Sequence, residues 1–169
     1  LLFSLAISAQ EKYPKDVFRS PLDIPLILAG TFGELRSNHF HSGIDIKTQQ
    51  RQGLPVYAIG DGSVTRIKIS LCGYGKARYV ARPNGYPSVY SHLKKFSPEI
   101  EEYIKKVQYK KQSYEVEVFP DYGEVKVEKG KVIAYTVNTC GSSEPHLHFE
   151  IRSSVTEKPT NPLLYGLEV

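Results

Sequence analysis

The histidines of this sequence fall in three short segments. All five histidines of the 169-residue chain lie in HFHSGID, YSHL and HLHFE, where they are His39, His41, His92, His146 and His148. Residues i and i+2 of a β-strand project from the same face, about 6 to 7 Å apart, so His146 and His148 are expected side by side. Two imidazoles on one face can hold a metal ion or flank one.

A carboxylate follows the first histidine segment. Asp45 comes four positions after His41, with a serine and a glycine between them that give the backbone freedom to turn. Asp45 alternates with Ile44 and Ile46, so its side chain faces away from theirs. If both isoleucines enter the core, a carboxylate buried on the other face needs a partner, and a divalent cation is one such partner.

Together these residues predict an open metal site. Two imidazoles and a carboxylate leave a fourth position for water, which distinguishes a catalytic zinc site from a closed structural one. Nitrogen and oxygen donors without thiolate suit zinc, although cobalt and manganese accept similar ligands. Each histidine taken alone would more simply be a structural residue, and only the joint pattern favours a metal.

The elements that must position these residues are mainly β-strands. Period-two alternation from Ile44 onward runs through GIDIKT, PVYAI, SVTRIKIS, KARYVAR, SVYSHL, SYEVEVF, EVKVEKGKVIAYTV and HLHFEIR. Glycine-containing turns separate these segments. The pattern predicts a mainly β fold, a small antiparallel sandwich or barrel.

One segment breaks the alternation. After Ser97 and Pro98, the run EIEEYIKKVQYKK places Ile100, Ile104 and Val107 at helical spacing. Serine is a favourable N-cap and proline a favourable first helical residue. A single inserted helix over residues 97–111 is therefore predicted.

The N-terminal region is expected to lie outside the catalytic domain. Its first residues, LLFSLAISAQ, are apolar, too short to span a bilayer and followed by small residues, so residues 1–9 are interpreted as the tail of an export signal, with an ordinary strand as the alternative. Residues 10–25 are expected to form an extended surface arm, and residues 26–169 one domain. No later apolar run has membrane-spanning length, so no transmembrane segment is predicted.

Charge argues against a nucleic-acid partner. The net charge is +4, and the lysines lie next to acidic residues, as on a solvated face. No arginine-rich tract with exposed aromatic residues occurs. Cys72 and Cys140 both lie in glycine-containing turns, and the sequence leaves open whether they form a disulfide.

These motifs resemble those of the LytM/lysostaphin-type zinc metallopeptidases, peptidase family M23. HSGIDI at 41–46 is similar to the first metal motif of that family, VYSHL at 89–93 to its central histidine motif, and PHLHFEI at 145–151 to its closing motif. The resemblance extends over roughly residues 26–165. It is interrupted by an insertion over about residues 94–122, which includes the predicted helix.

The resemblance implies a role for each matched residue. His41, Asp45 and His148 correspond to the ligands of one Zn²⁺ ion, and His92 and His146 to the two catalytic histidines. Either catalytic histidine could take the proton from the attacking water while the other stabilises the oxyanion. His39 has no counterpart and is expected at the rim of the site.

Further residues are expected near this site. Tyr90, Tyr74 and Asn138 are candidates for the substrate groove, Tyr90 because it alternates with His92. Glu144 is interpreted as a charged rim residue. For Glu150 a solvent-exposed carboxylate at the strand end is favoured, with orientation of an imidazole as the alternative.

The resemblance also implies a function. A monomeric, exported bacterial enzyme would act in the periplasm or outside the cell on the stem peptides of peptidoglycan, cutting their cross-links. The alternative is a non-catalytic LytM-type module that binds the cell wall and regulates other hydrolases.

Overall fold

The computed structural model describes residues 13–138 and 144–169. Residues 1–9, interpreted as an export-signal remnant, and Cys140 lie outside this range, while Cys72 is exposed. The twelve strands of the described range are β1 Leu28–Gly30, β2 Ile44–Lys47, β3 Pro55–Tyr57, β4 Gly62–Ile69, β5 Lys76–Ala81, β6 Ser88–Ser91, β7 Leu93–Phe96, β8 Val116–Val118, β9 Lys126–Val127, β10 Val132–Thr136, β11 His146–Arg152 and β12 Pro159–Thr160. One α-helix, α1, spans Pro98–Lys111, and a 3-10 helix spans Pro162–Tyr165.

The strands form two antiparallel sheets. The large sheet has the order β1-β2-β11-β6-β5-β4-β8, with β12 paired to β11 and β9 to β4, and the small sheet has the order β3-β10-β7. Both contribute to one hydrophobic core, the large sheet through Ile44, Ile67 and Phe149 and the small sheet through Val56 and Ile133. The predicted mainly β fold with one inserted helix is confirmed.

The inserted helix begins one residue after its predicted start. Ser97 occupies the N-cap position without a side-chain capping bond. The carboxylate of Glu101 instead accepts a hydrogen bond from the backbone N–H of Phe96 at 2.7 Å. Ile100 and Ile104 are buried as the spacing predicts.

The described part of the expected surface arm, residues 13–25, packs against the core. From its described part, Phe18 and Leu22 are buried among the core residues. Backbone hydrogen bonds join Arg19 N to the carbonyl of Ile59 and Tyr57 N to the carbonyl of Pro21. Residues 13–25 therefore belong to the folded unit. Within the described ranges, no helix combines the length and hydrophobicity needed to cross a membrane.

Candidate metal centre

Neighbouring strands bring the predicted site together. In the antiparallel pair of β2 and β11, His148 lies directly opposite Asp45, so the two side chains leave the same face of the large sheet. His41 precedes β2 and is held by a tight hairpin, in which its backbone N–H donates to the carbonyl of Glu34 and its carbonyl accepts from Gly33. The hairpin directs the ring of His41 towards Asp45.

Three donor atoms converge at this point. His41 Nε2 lies 3.1 Å from Asp45 Oδ1 and 2.9 Å from His148 Nδ1, and His148 Nδ1 lies 2.9 Å from Asp45 Oδ1. Ligands at about 2.0–2.1 Å from a tetrahedral zinc ion are roughly 3.3 Å apart. All three side chains are buried. The spacing of the three atoms thus fits one small cation.

The remaining polar atoms of these side chains fix their orientation. His41 Nδ1 donates to the carbonyl of Thr31 at 2.8 Å, and His148 Nε2 donates to Glu150 Oε1 at 2.9 Å. Each ring therefore presents the lone pair of its other nitrogen to the centre. Asp45 Oδ2 accepts a hydrogen bond from a terminal nitrogen of Arg36 at 2.8 Å. These hydrogen bonds give each histidine the tautomer in which the nitrogen facing the centre is free to bind a metal ion.

The local electrostatics keep Asp45 ionised. Burial alone would raise the pKa of this carboxyl, but the imidazole groups of His148 and His41, which attract the carboxylate whenever they are protonated, hold the pKa well below its usual range. Burial would lower the pKa of His148, whereas the neighbouring carboxylates of Asp45 and Glu150 raise it overall. A permanently charged carboxylate is what a metal ligand requires at neutral pH.

Glu150 is the centre of a buried hydrogen-bond network. Its Oε1 accepts from Ser42 Oγ and Tyr74 OH, each at 2.7 Å, as well as from His148, and its Oε2 accepts from Arg152 Nε at 2.6 Å. Burial would raise the pKa of Glu150, but the bonds to His148 and Arg152 lower it to about 2. The favoured prediction of a solvent-exposed strand-end carboxylate was wrong. The side chains that contact its carboxylate cover it on the sheet face, so Glu150 is fully buried.

Replacing Glu150 tests this network. We expect Glu150→Gln to raise the Kd for zinc by about 10–100-fold, because the neutral amide no longer polarises the His148 ring. Titration of the metal-free protein against a chromogenic chelator measures the change. Glu117→Gln is the matched control, since Glu117 also pairs with an arginine, Arg66, on the same sheet but contacts no candidate ligand. Equal weakening in both variants would contradict the role of Glu150.

Because Gly30 has no side chain, there is space for the Arg36–Asp45 ion pair next to it. A Cβ at this position would overlap a terminal nitrogen of Arg36 and lie 2.6 Å from Asp45 Oδ2. We expect Gly30→Ala to displace the pair and to weaken zinc binding by about tenfold, as other losses of ligand support do. Gly53→Ala is the control, because its methyl group meets open space and its φ of 80° is strained by about 1 kcal/mol, while Gly53 lies outside the hairpin that holds His41. It should lower the free energy of unfolding and leave the Kd for zinc unchanged; a lower zinc affinity in this control would mean that strain, not displacement, is responsible.

The two predicted catalytic histidines lie beside the three donors. The ring centroids of His92 and His146 are 4.7 Å apart in an edge-to-face arrangement, and His146 Nε2 is 3.7 Å from Asp45 Oδ1. Burial, followed by the neighbouring His146 and His148, lowers the pKa of His92 to about 4. His92 is therefore neutral at pH 7 and offers one N–H donor and one lone pair.

The predicted groove residues have different positions. Tyr74 stacks on His148 at a centroid distance of 5.2 Å and donates to Glu150, so it supports the centre directly. Tyr90 is fully buried in the core, where its hydroxyl accepts from Ile59 N and Arg82, and its assignment to the groove was wrong. The strand alternation used for Tyr90 ends at His92, whose φ of 56° turns the backbone. Asn138 is exposed and remains a prediction.

The structure also describes the two residues that were expected at the rim of the site. His39 is exposed, with its Nδ1 2.7 Å from Asn38 Oδ1, and it is not part of the three-residue cluster. Glu144 is half-buried and its carboxylate lies 3.6 Å from Lys47 Nζ.

Arg36 and Ser42 were not predicted. Arg36 stands nine positions before Asp45 in an irregular loop, and no sequence pattern links the two residues.

Sequence comparisons point to one family. The sequence model of peptidase family M23 matches residues 39–109. The chain is 32% identical over 133 residues to the DD-carboxypeptidase/endopeptidase Mpg of Neisseria meningitidis serogroup B, which covers 79% of this chain and 24% of that protein. It is 33% identical to an uncharacterized metalloprotease of Haemophilus influenzae over 75% of this chain and 21% of that protein. The chain thus spans about a quarter of the length of these curated relatives.

Solved structures share the fold. The catalytic domain of the prophage-encoded M23 protein EnpA from Enterococcus faecalis aligns with a TM-score of 0.61 at 20% identity, covering 89% of this chain and 98% of that one. The catalytic domain of lysostaphin from Staphylococcus simulans aligns with a TM-score of 0.59 at 22% identity, covering 82% and 90%. A zinc containing peptidase from Vibrio cholerae aligns with a TM-score of 0.57 at 23% identity, covering 86% and 39%.

Proposed function

The chain contains a domain of peptidase family M23, and from this premise we propose that it is a zinc-dependent endopeptidase that hydrolyses peptide cross-links of bacterial peptidoglycan. His41, Asp45 and His148 hold one Zn²⁺ ion, and His92 and His146 are the catalytic histidines. The substrate is the stem peptide, and the place of action is the periplasm or the outside of the cell. The relatives named as peptidases support this class of substrate.

The convergence of the three donor atoms is the observation that carries the proposal. Among the described histidine, cysteine, aspartate and glutamate side chains, no fourth one joins the cluster of His41, Asp45 and His148. Three protein ligands with one open position are typical of catalytic zinc. The nitrogen and oxygen donors, their burial and the assigned tautomers all fit this metal.

The side chains around the centre supply the proton transfers. When bound, zinc acts as a Lewis acid and lowers the pKa of water to about 7. Of His92 and His146, one takes a proton from the attacking water and later gives it to the leaving amine, and the other donates an N–H to the oxyanion at the attacked carbonyl. Both rings lie beside the donor cluster, His146 next to Asp45 and His92 next to His148, which supports these roles.

A non-catalytic cell-wall module is the competing function. Such a module needs neither a complete ligand set nor a second pair of histidines. Here all five residues are present, and the Glu150 network supports one of the ligands. These features favour catalysis over a purely regulatory role.

Mass spectrometry of digested cell wall tests the proposed function. Zinc-loaded protein is incubated with purified cross-linked peptidoglycan, and we expect cross-linked dimers to disappear as new peptide termini appear in matching amounts. The masses of the termini identify the bond that is cut. An unchanged wall, with one zinc ion per protein and intact His92 and His146, would favour the regulatory module.

A further inference from the structure

A pocket opens on the sheet face that carries the candidate metal centre. Glu150 pairs with Val89 across β11 and β6, and Val89 pairs with Tyr79 across β6 and β5, so Tyr79 leaves the same face as Glu150 and His148. Around Tyr79 lies a cavity of about 450 Å³, between Arg66 on β4 and Arg152 at the end of β11. Sites for small molecules measure about 300–1,000 Å³. The cavity is large enough for a ligand and is distinct from the cluster of candidate metal ligands.

The distance between the two sites follows from the sheet geometry. Tyr79 lies on β5, two strands away from β11. Across β6 it is in register with Glu150, which is two positions beyond His148. With about 4.8 Å between strands and about 3.3 Å per residue, the two sites are roughly 12 Å apart. An extended peptide covers this distance in about three to four residues. A substrate cut at the metal centre can therefore place a group three or four residues away in this pocket.

The charges of the pocket are already paired. Arg66 Nε donates to Glu117 at 2.6 Å, with a second close contact from its terminal nitrogen, and Arg152 Nε donates to Glu150 at 2.6 Å. Glu157 adds a further negative charge to the lining. Among the described residues of the lining no uncompensated positive charge remains, so an anionic ligand gains little attraction here. The charges therefore disfavour an anionic occupant, and the choice of a neutral one rests on the ring surfaces and hydroxyl groups of the lining.

The lining combines ring surfaces with outward polar groups. The guanidinium of Arg66 lies 4.5 Å from the ring centroid of Tyr79 and 5.8 Å from that of Phe119, and Phe119 is 68% exposed. Thr65, Tyr79 and Ser154 add side-chain hydroxyl groups to the lining. Aromatic rings offer an apolar face beside polar groups. A sugar ring, with C–H faces and hydroxyl edges, matches both features.

We propose that this pocket, which we call the Tyr79–Phe119 pocket, binds a neutral saccharide unit of the glycan strand. The identity of the glycan rests on the proposed function, because a stem peptide is attached to an amino sugar. The pocket then holds that sugar about 12 Å from the bond that is cut. It selects glycan-bearing stem peptides over free peptides.

Sugar binding is measured without hydrolysis. The zinc-loaded protein is titrated with the tetramer of N-acetylglucosamine by isothermal calorimetry, and we expect saturable binding. Phe119→Ala should weaken it by about 5–10-fold, as expected for the loss of one stacking ring. Tyr109→Ala is the matched control, because Tyr109 is also exposed, at 83%, but lies on α1 outside the pocket. Absence of saturable binding, or an equal loss in both variants, would overturn the proposal.

A pair of substrates separates this proposal from the proposed function. One is a cross-linked muropeptide dimer that carries its sugars, and the other is the same dimer after enzymatic removal of the sugars. Phe119→Ala should lower kcat/KM about 5–10-fold for the first substrate and leave the second unchanged. An equal loss on both substrates would assign the pocket to peptide and overturn the saccharide proposal. If the wild-type protein cuts neither dimer, the proposed function fails while the calorimetric result still decides on the pocket.

Discussion

Replacing His41 by alanine is expected to remove the bound zinc and the hydrolytic activity together. Apparent binding free energies of about 10–16 kcal/mol over four ligands correspond to roughly 3–4 kcal/mol per ligand, or about 10²–10³-fold in Kd. Of the three clustered ligands among the described residues, the variant keeps Asp45 and His148. Zinc content after gel filtration and the release of new peptide termini from peptidoglycan measure the two effects.

The histidine two positions away is the matched control for His41. His39 lies on the same hairpin but is exposed and bonds only to the neighbouring Asn38 among the described side chains. His39→Ala should keep one zinc ion per protein and wild-type activity. If His39→Ala loses zinc as well, the site is closed by a fourth ligand and the catalytic proposal fails.

Replacing either His92 or His146 should abolish most of the activity while the metal stays bound. General acid–base groups contribute about 10²–10⁴-fold to the rate, so His92→Ala and His146→Ala should each lower kcat by that factor. Neither ring belongs to the converging donor cluster, and zinc content should therefore remain at one ion per protein. Loss of zinc in either variant would reassign that residue as a ligand.

Glutamine variants can distinguish the roles of these two histidines. The His92 ring is neutral at pH 7 because burial lowers its pKa to about 4, so it can act as a hydrogen-bond donor without losing a charge. A glutamine amide donates a hydrogen bond but accepts no proton. The histidine whose glutamine variant retains about tenfold more activity than its alanine variant is therefore the oxyanion donor. Identical losses for all four variants would contradict a donor role for either residue.

The sequence predicted the strands and the convergence of the histidines well, because both depend on short-range periodicity. Alternation around Asp45 and His148 indicates which side chains share a face. Pairing of β2 with β11 then brings both side chains to the same point. The resemblance of the three motifs to one family indicated that distant segments meet.

The support around the centre was harder to predict, because it depends on neighbours that are remote in sequence. Glu150 is buried because Ser42 and Tyr74, which are distant in sequence, cover its carboxylate, and the sequence of β11 does not reveal these contacts. Tyr90 enters the core because the left-handed backbone at His92 ends the alternation. Arg36 reaches Asp45 from an irregular loop, through space that the missing side chain of Gly30 provides.

The pairing of β2 with β11 determines when during folding the metal can be acquired. Asp45 and His148 are separated by 103 residues and meet only in this one register. A slip of one residue would send the two side chains to opposite faces of the sheet. Closing a loop of this length costs entropy before the contact stabilises the fold, so such strand pairs form slowly. A chain in which this pair has not formed lacks the assembled donor cluster, so the proposed peptide-bond cleavage has to wait for it.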